Sequence, residues 1–165
     1  MAFIPLPEDP RWLPFVERYA GSCFRFAVEV LKLKPSLQQK ELMDAVSAPG
    51  CRVSVASGHG TGKSFSLSVI IPWLLFTHYK AWVLVTANDI DQIKASTLKE
   101  IASQIGRLKE GSYAWLADKI ELMASGDLRV RGYEQNWLME LKTANAKNAN
   151  KMAGRHAKFL TIIAD

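Results

Sequence analysis

Ser57-Gly58-His59-Gly60-Thr61-Gly62-Lys63-Ser64 constrains this chain more than any other stretch. It follows a short apolar run, Cys51-Arg52-Val53-Ser54-Val55-Ala56, that predicts a strand, and it leads into helical spacing from Phe65 onward. Strand, glycine-rich turn and helix together are the setting of a phosphate-binding P-loop. Three glycines in five positions let the backbone curl so that successive N–H groups point into one concavity. The positive pole of the following helix adds to the attraction for an anion. In such a loop Lys63 reaches the β- and γ-phosphates of a nucleoside triphosphate, and the Ser64 hydroxyl holds Mg2+. The first position departs from the consensus, with Ser57 standing in place of glycine. A ligand-free turn is the plainer reading. Gly62-Lys63-Ser64 and both flanks favour the nucleotide.

Composition bounds what else the chain can be. With 165 residues and 48% hydrophobic content it can bury one core, so a single compact unit is expected. The net charge of +5 is compatible with a polyanionic partner without requiring one. Cys23 and Cys51 lack the spacing of a metal site or a disulfide framework, which points to a reducing cytosol. The first ten residues have neither a basic nor an apolar signal-peptide region. The most apolar window, Val69 to Phe76, is interrupted by Pro72 and falls well short of the about 20 residues that span a bilayer. A soluble protein with no membrane contact is expected.

Residues 1–10 carry three prolines and read as an extended arm. From Arg11 to Leu33, Trp12, Phe15, Val16 and Tyr19, then Phe24, Phe26, Ala27, Val30 and Leu31, recur at helical spacing, and Gly21-Ser22 divides them into two helices. Pro35-Ser36 starts another helix with Leu37, Leu42, Met43 and Val46 on its apolar face and Ala48-Pro49-Gly50 as its stop. Gln38 and Gln39 lie within it. A side-chain amide can pair with both N6 and N7 of adenine, so either glutamine is a base-reading candidate as well as a plain solvated residue.

After the loop, Lys63 to about Tyr79 predicts a helix that Pro72 kinks or ends. Ala81 to Ala87 predicts a buried strand of parallel-sheet character. Asn88-Asp89 caps a long helix with Ile90, Ile93, Leu98, Ile101, Ile105 and Leu108 on one face. Gly111 to Gly132 suggests a short helix and a strand at Ile120 to Met123, and Trp137 to Leu141 a further strand.

Lys142 to Lys158 holds Lys142, Lys147, Lys151, Arg155 and Lys158 without an acidic residue, and reads as a loop or weak helix. A solvated surface and phosphate contact both fit. Phe159-Leu160-Thr161-Ile162-Ile163-Ala164-Asp165 is an apolar strand that ends in a carboxylate, the shape of a Walker B element. There the acid holds Mg2+ or its water opposite Ser64. ATPases that polarise water with a glutamate after this aspartate would carry it at the next position, beyond Asp165. The expectation is a piece of a longer protein.

These segments in this order resemble the N-terminal ATPase domain of the large terminase subunit of tailed bacteriophages. They are Pro35 to Leu42 with its glutamines, the Ser57 to Ser64 loop, Val83 to Gln92 with its Thr86-Ala87 strand end, Ala153-Gly154-Arg155-His156-Ala157, and Phe159 to Asp165. The resemblance implies a P-loop NTPase of the RecA type, α/β, with a mainly parallel sheet flanked by helices and incomplete at its C-terminal side. Residues 1–34 would be an arm and helices packing on the core, and residues 35–165 the partial ATPase core. It implies a motor that uses ATP and Mg2+ to drive double-stranded DNA into a procapsid. Portal protein and small terminase subunit would be its partners, in a homo-oligomer in the host cytoplasm.

Carried over by position, Gln39 or Gln38 would contact adenine. Ser57, Gly58, His59, Gly60, Thr61, Gly62, Lys63 and Ser64 would hold the phosphates, and Ser64 and Asp165 the Mg2+. Thr86, Lys142, Lys147 and Lys151 would touch DNA or phosphate. His59 stands where family members commonly carry arginine, and a mostly neutral imidazole does not replace a forked, permanent cation. Arg155 is the candidate replacement, in cis or from a neighbouring subunit. A helicase-like ATPase and a non-catalytic module with a relic loop remain the alternatives. Without the water-orienting glutamate, the chain is expected to bind nucleotide and hydrolyse it negligibly. A phosphate-release assay checks this, and robust turnover would contradict it.

Overall fold

The computed structural model describes residues 2–56, 58, 60, 62–145 and 157–165. Helix α1 (Trp12–Tyr19) and helix α2 (Cys23–Arg25), which runs on as a π-helical turn over Phe26–Val30, realise the two predicted helices. Ser22 caps the second through its side chain, which accepts from the Arg25 N–H. Helix α3 (Leu37–Ser47) follows, then α4 (Lys63–Thr77) and strand β1 (Ala81–Ala87). The long capped helix forms as α5 (Ile90–Ile93), a π-helical segment at Lys94–Leu98, and α6 (Lys99–Glu110), with Asp89 accepting from the Gln92 N–H at its start. Short α7 (Ala114–Ala117), β2 (Ile120–Leu122), β3 (Leu128–Val130), β4 (Leu138–Thr143) and β5 (Phe159–Ala164) complete the described elements.

Helix α4 is the axis of the molecule. From Val69 to Thr77 every residue is buried, as a helix that is apolar all round requires. Pro72 sits inside it, and the helix continues through five more residues to Thr77. Packing on all sides outweighs the local cost of the missing N–H. Such burial keeps water from the carbonyls near the end of the helix, and those of Trp73 to Phe76 each find a donor. The His78 N–H bonds to the Leu74 carbonyl at 3.1 Å, and Thr77 Oγ1 to that of Trp73 at 2.6 Å. The indole of Trp137 donates to the Leu75 carbonyl at 2.9 Å, and that of Trp12 to the Phe76 carbonyl at 2.7 Å. Trp73 in turn donates to the Tyr19 carbonyl at 2.7 Å, tying α4 to the end of α1.

The sheet order is β2-β3-β4-β1-β5. β1 runs parallel to β4 and β5 on either side of it, and β3 pairs antiparallel with both β2 and β4. Side chains alternate between faces, so Val83, Val85, Met139 and Leu141 join the core with α4 while Trp82, Leu84 and Leu138 line the opposite face. A short turn at residues 78–80 reverses the chain between α4 and β1. Fifteen helical residues span about 22 Å and seven strand residues about 23 Å, so the N-terminus of α4 lies level with the carboxyl end of β1.

Several expectations are corrected. Residues 51–56 form no strand: they are exposed, with Val53 at 43% and Val55 at 47%. Among the described residues no strand of the sheet lies in register with this run, so its backbone has no ladder to join. Leu37, expected on the apolar face of α3, is exposed, whereas Met43 is fully buried. The proline-rich start is not a free arm. It makes a 3-10 turn at Leu6–Glu8, Leu6 is fully buried, and Asp9 joins Arg11 at 2.7 Å and buried Lys119 at 3.0 Å. β3 was not expected; its three residues are too few to show a period. Among the described residues no helix is long and apolar enough to cross a membrane.

The Arg11 guanidinium, with Lys119 behind it, holds the Asp9 carboxyl well below its ordinary value of 3.8. The folded chain therefore binds fewer protons here than the unfolded one. This contribution to stability is complete above about pH 4 and is lost as the pH falls through the depressed folded value. Replacing Asp9 by Asn leaves the buried Lys119 ammonium with the Ile4 carbonyl but no counter-charge, and is expected to cost about 3 kcal/mol in urea unfolding at pH 7. The variant's stability should also fall less steeply than the wild type's below pH 4.

Candidate functional site

The glycine loop ends at the start of the buried helix. Gly60 and Gly62 have φ of +79° and +82°, a left-handed conformation that side chains resist and that lets the backbone curl tightly. Gly62 is the N-cap of α4, and no side chain caps the helix there. An anion at this end meets backbone N–H groups and the positive pole of a fifteen-residue helix. Lys63 is the first helical residue and exposed, and Ser64 beside it is half-buried. Ser57, His59 and Thr61 lie outside the described residues.

Gln39 reaches this loop by a route that spacing does not reveal. Its Oε1 accepts from the Ser36 N–H at 2.9 Å while Ser36 Oγ accepts from the Gln39 N–H at 3.3 Å, a capping box that starts α3. The Ser36-x-x-Gln39 spacing is the sequence signal for it. The Gln39 Nε2 then abuts Gly62, where a Cβ would meet it at 2.6 Å. A small cavity of about 60 Å³ opens here between α3 and α4, lined by Gln38, Gln39, Leu42, Gly62, Lys63 and Ser66 with Val55. Gln38 is exposed.

The remaining described residues stand at the carboxyl end of the sheet. Asp165 follows β5 directly, is exposed, and its N–H bonds to the Thr86 carbonyl at 2.9 Å. The register aligns Lys142, Thr86 and Ala164 across three parallel strands. Thr86, Lys142 and Asp165 thus share the end at which α4 begins, so one rim of the sheet collects Lys63, Ser64, Thr86, Lys142 and Asp165. Lys147, Lys151 and Arg155 lie outside the described residues. One group nearby was missed: Glu140, two residues before Lys142 on β4, is buried and its Oε2 accepts from the Trp82 indole at 3.1 Å. An acid within an apolar run gives no sequence signal of a buried role.

The donor set suits Mg2+. A hydroxyl and a carboxylate are hard oxygen ligands, and Mg2+ takes one or two such groups with the rest of its shell from phosphates and water. Among the described residues no three His, Cys, Asp or Glu gather into a metal cage.

Comparison with known proteins places the chain near one group. It is 30% identical over 157 residues, 95% of its length, to a protein of Enterobacteria phage P7 described as "Probable terminase, large subunit". The chain spans 31% of that relative's length. No family model matches, and no solved structure matches. The match bears out the resemblance read from the motifs.

The contact at Gly62 yields a test of the loop. Gly62→Ala forces a left-handed alanine, which is expected to cost about 1–2 kcal/mol in thermal or urea unfolding. In a Gln39→Ala background the clash disappears and the backbone strain remains. The double-mutant cycle should therefore show a coupling of about 0.5 kcal/mol or more.

Proposed function

From its likeness to a phage large terminase subunit, we propose that this chain carries the nucleotide-binding part of a DNA-packaging motor, built as a P-loop NTPase of the RecA kind. The observation that supports this most is that a glycine loop opening a buried helix and an acid-tipped parallel strand share one rim of the sheet. In this reading residues 1–34 pack on an ATPase core that starts at residue 35. Because the chain spans about a third of its relative, the activity of the whole motor draws on more than these residues.

Mg-ATP, when bound, supplies the phosphoryl group whose transfer to water releases the energy for translocation. The chain's own residues bind and orient it. The amides from Gly58 to Gly62 cradle the phosphates, and the Lys63 ammonium neutralises the outer two. The Ser64 hydroxyl and the Asp165 carboxylate hold Mg2+. Gln39, with Nε2 already beside Gly62, or the exposed Gln38, contacts the adenine. Arg155 stabilises charge on the transferring group, in cis or from a neighbouring subunit. Thr86, Lys142, Lys147 and Lys151 touch DNA or phosphate. The partners are double-stranded DNA, the portal protein, the small terminase subunit and further copies of the chain, in the host cytoplasm.

Isothermal titration with Mg-ATP tests this reading. Losing one charge-assisted phosphate contact is worth about 1.5–3 kcal/mol, so Lys63→Ala should weaken binding about 10- to 100-fold. Asp165→Asn should weaken Mg-ATP more than ATP in excess EDTA. Equal heats for wild type and Lys63→Ala would refute the assignment.

A further inference from the structure

At the opposite end of the sheet, away from the glycine loop, two lysines stand side by side. Lys80 directly precedes β1 and Lys158 directly precedes β5. The parallel register pairs Ala81 with Phe159, so the two cations occupy equivalent positions on neighbouring strands. Like charges set opposite one another repel. Among the described residues neither has a carboxylate partner.

Both cations lie over the same ring. Lys158 Nζ is 5.1 Å and Lys80 Nζ 5.3 Å from the Tyr79 centroid, and Lys80 is also 6.0 Å from Tyr133. Tyr79 is 38% exposed, whereas the rings behind it are fixed. It meets Trp137 edge-on at 5.4 Å and Trp12 at 6.3 Å, the two indoles that cap α4, and Tyr133 meets Trp137 at 5.6 Å. His78 stacks on Phe159 at 3.9 Å, pinning the turn that carries Tyr79 and Lys80 to the start of β5. The nearby carboxylate, Glu134, accepts from the Gly132 N–H at 2.9 Å. The C-terminal pole of α4 favours a cation here but does not account for two arrayed over one exposed ring.

We propose that Tyr79, Tyr133, Lys80 and Lys158 form a second binding seat, for a nucleic-acid strand. Its phosphates pair with the lysines and one base stacks on Tyr79. Lysines that follow a backbone beside an exposed aromatic ring are how proteins hold single strands without reading sequence. Its contacts with Trp137 and Trp12 back the Tyr79 ring, which lowers the cost of ordering it on binding. The strands β1 and β5 separate this seat from the glycine-loop rim by about 20 Å, so it does not rest on the nucleotide reading.

The test is fluorescence anisotropy of the chain with a labelled twelve-residue oligothymidine at low salt. Lys80→Gln combined with Lys158→Gln should weaken binding at least fivefold. It should also flatten the dependence of log affinity on log salt by about 1.4, or 0.7 for each lost phosphate contact in a single strand. Tyr79→Ala should weaken binding about tenfold and Tyr79→Phe hardly at all, since the stack needs the ring and not the hydroxyl. Circular dichroism confirms that each variant folds. The lysine double variant should keep its Mg-ATP titration, which separates this result from the fate of the nucleotide site. An unchanged salt slope in the double variant would overturn the proposal. So would competition by a polyglutamate peptide as strong as that by unlabelled oligothymidine, which would assign the seat to an acidic protein.

Discussion

The structure depends on how the C-terminus of a buried helix is satisfied. α4 is too apolar to leave the interior, yet its last carbonyls cannot be left bare there. Trp12 and Trp137, 125 positions apart in the chain, close the gap with their indole N–H groups while their rings fill the space around it. One arrangement answers both demands on a buried helix end, apolar contact and donors for the Leu75 and Phe76 carbonyls. It also fixes where the N-terminal helix and the β3–β4 connection that carries Trp137 must sit.

With α4 held at that end, its other end is placed. The helix is as long as the strand that follows it, so its N-terminus arrives at the carboxyl rim of β1. There the strand tips supply Thr86, Lys142 and Asp165. Rim and helix start lie at the same end of the sheet because of lengths and a short reversal. The two ends of the sheet therefore differ in chemistry. One offers backbone amides, a hydroxyl and a carboxylate beside Lys63 and Lys142. The other offers two lysines over one exposed aromatic ring with, among the described residues, no carboxylate between them.

Much of this was legible in the chain. The buried Ala81–Ala87 strand, the Asp89 cap and the acid-tipped last strand each carry a strong local signal and form as expected, and α4 starts after Gly62 where the loop predicts a helix. The run at residues 51–56 looked equally strand-like and forms none, because a strand exists only where a neighbour accepts its hydrogen bonds. The start of the chain looked like an extended arm. The Asp9 and Lys119 pair that ties it down joins residues too distant for any local pattern to link. Gln39 shows the same limit in smaller form: its capping box is local and readable, and its contact with Gly62 is not.

By itself the sequence determined most of the helices and strands and where α4 begins. Periodicity, caps and glycine placement are properties of a few neighbouring residues, and the free energies involved are local ones. Only the tertiary structure decided which groups meet. The sheet order, the two tryptophans on α4, the glutamine at the loop and the paired lysines at the far rim all arise from strands in register and helices packed between them. Those contacts join distant parts of the chain, and their energy is collected only when the whole core closes.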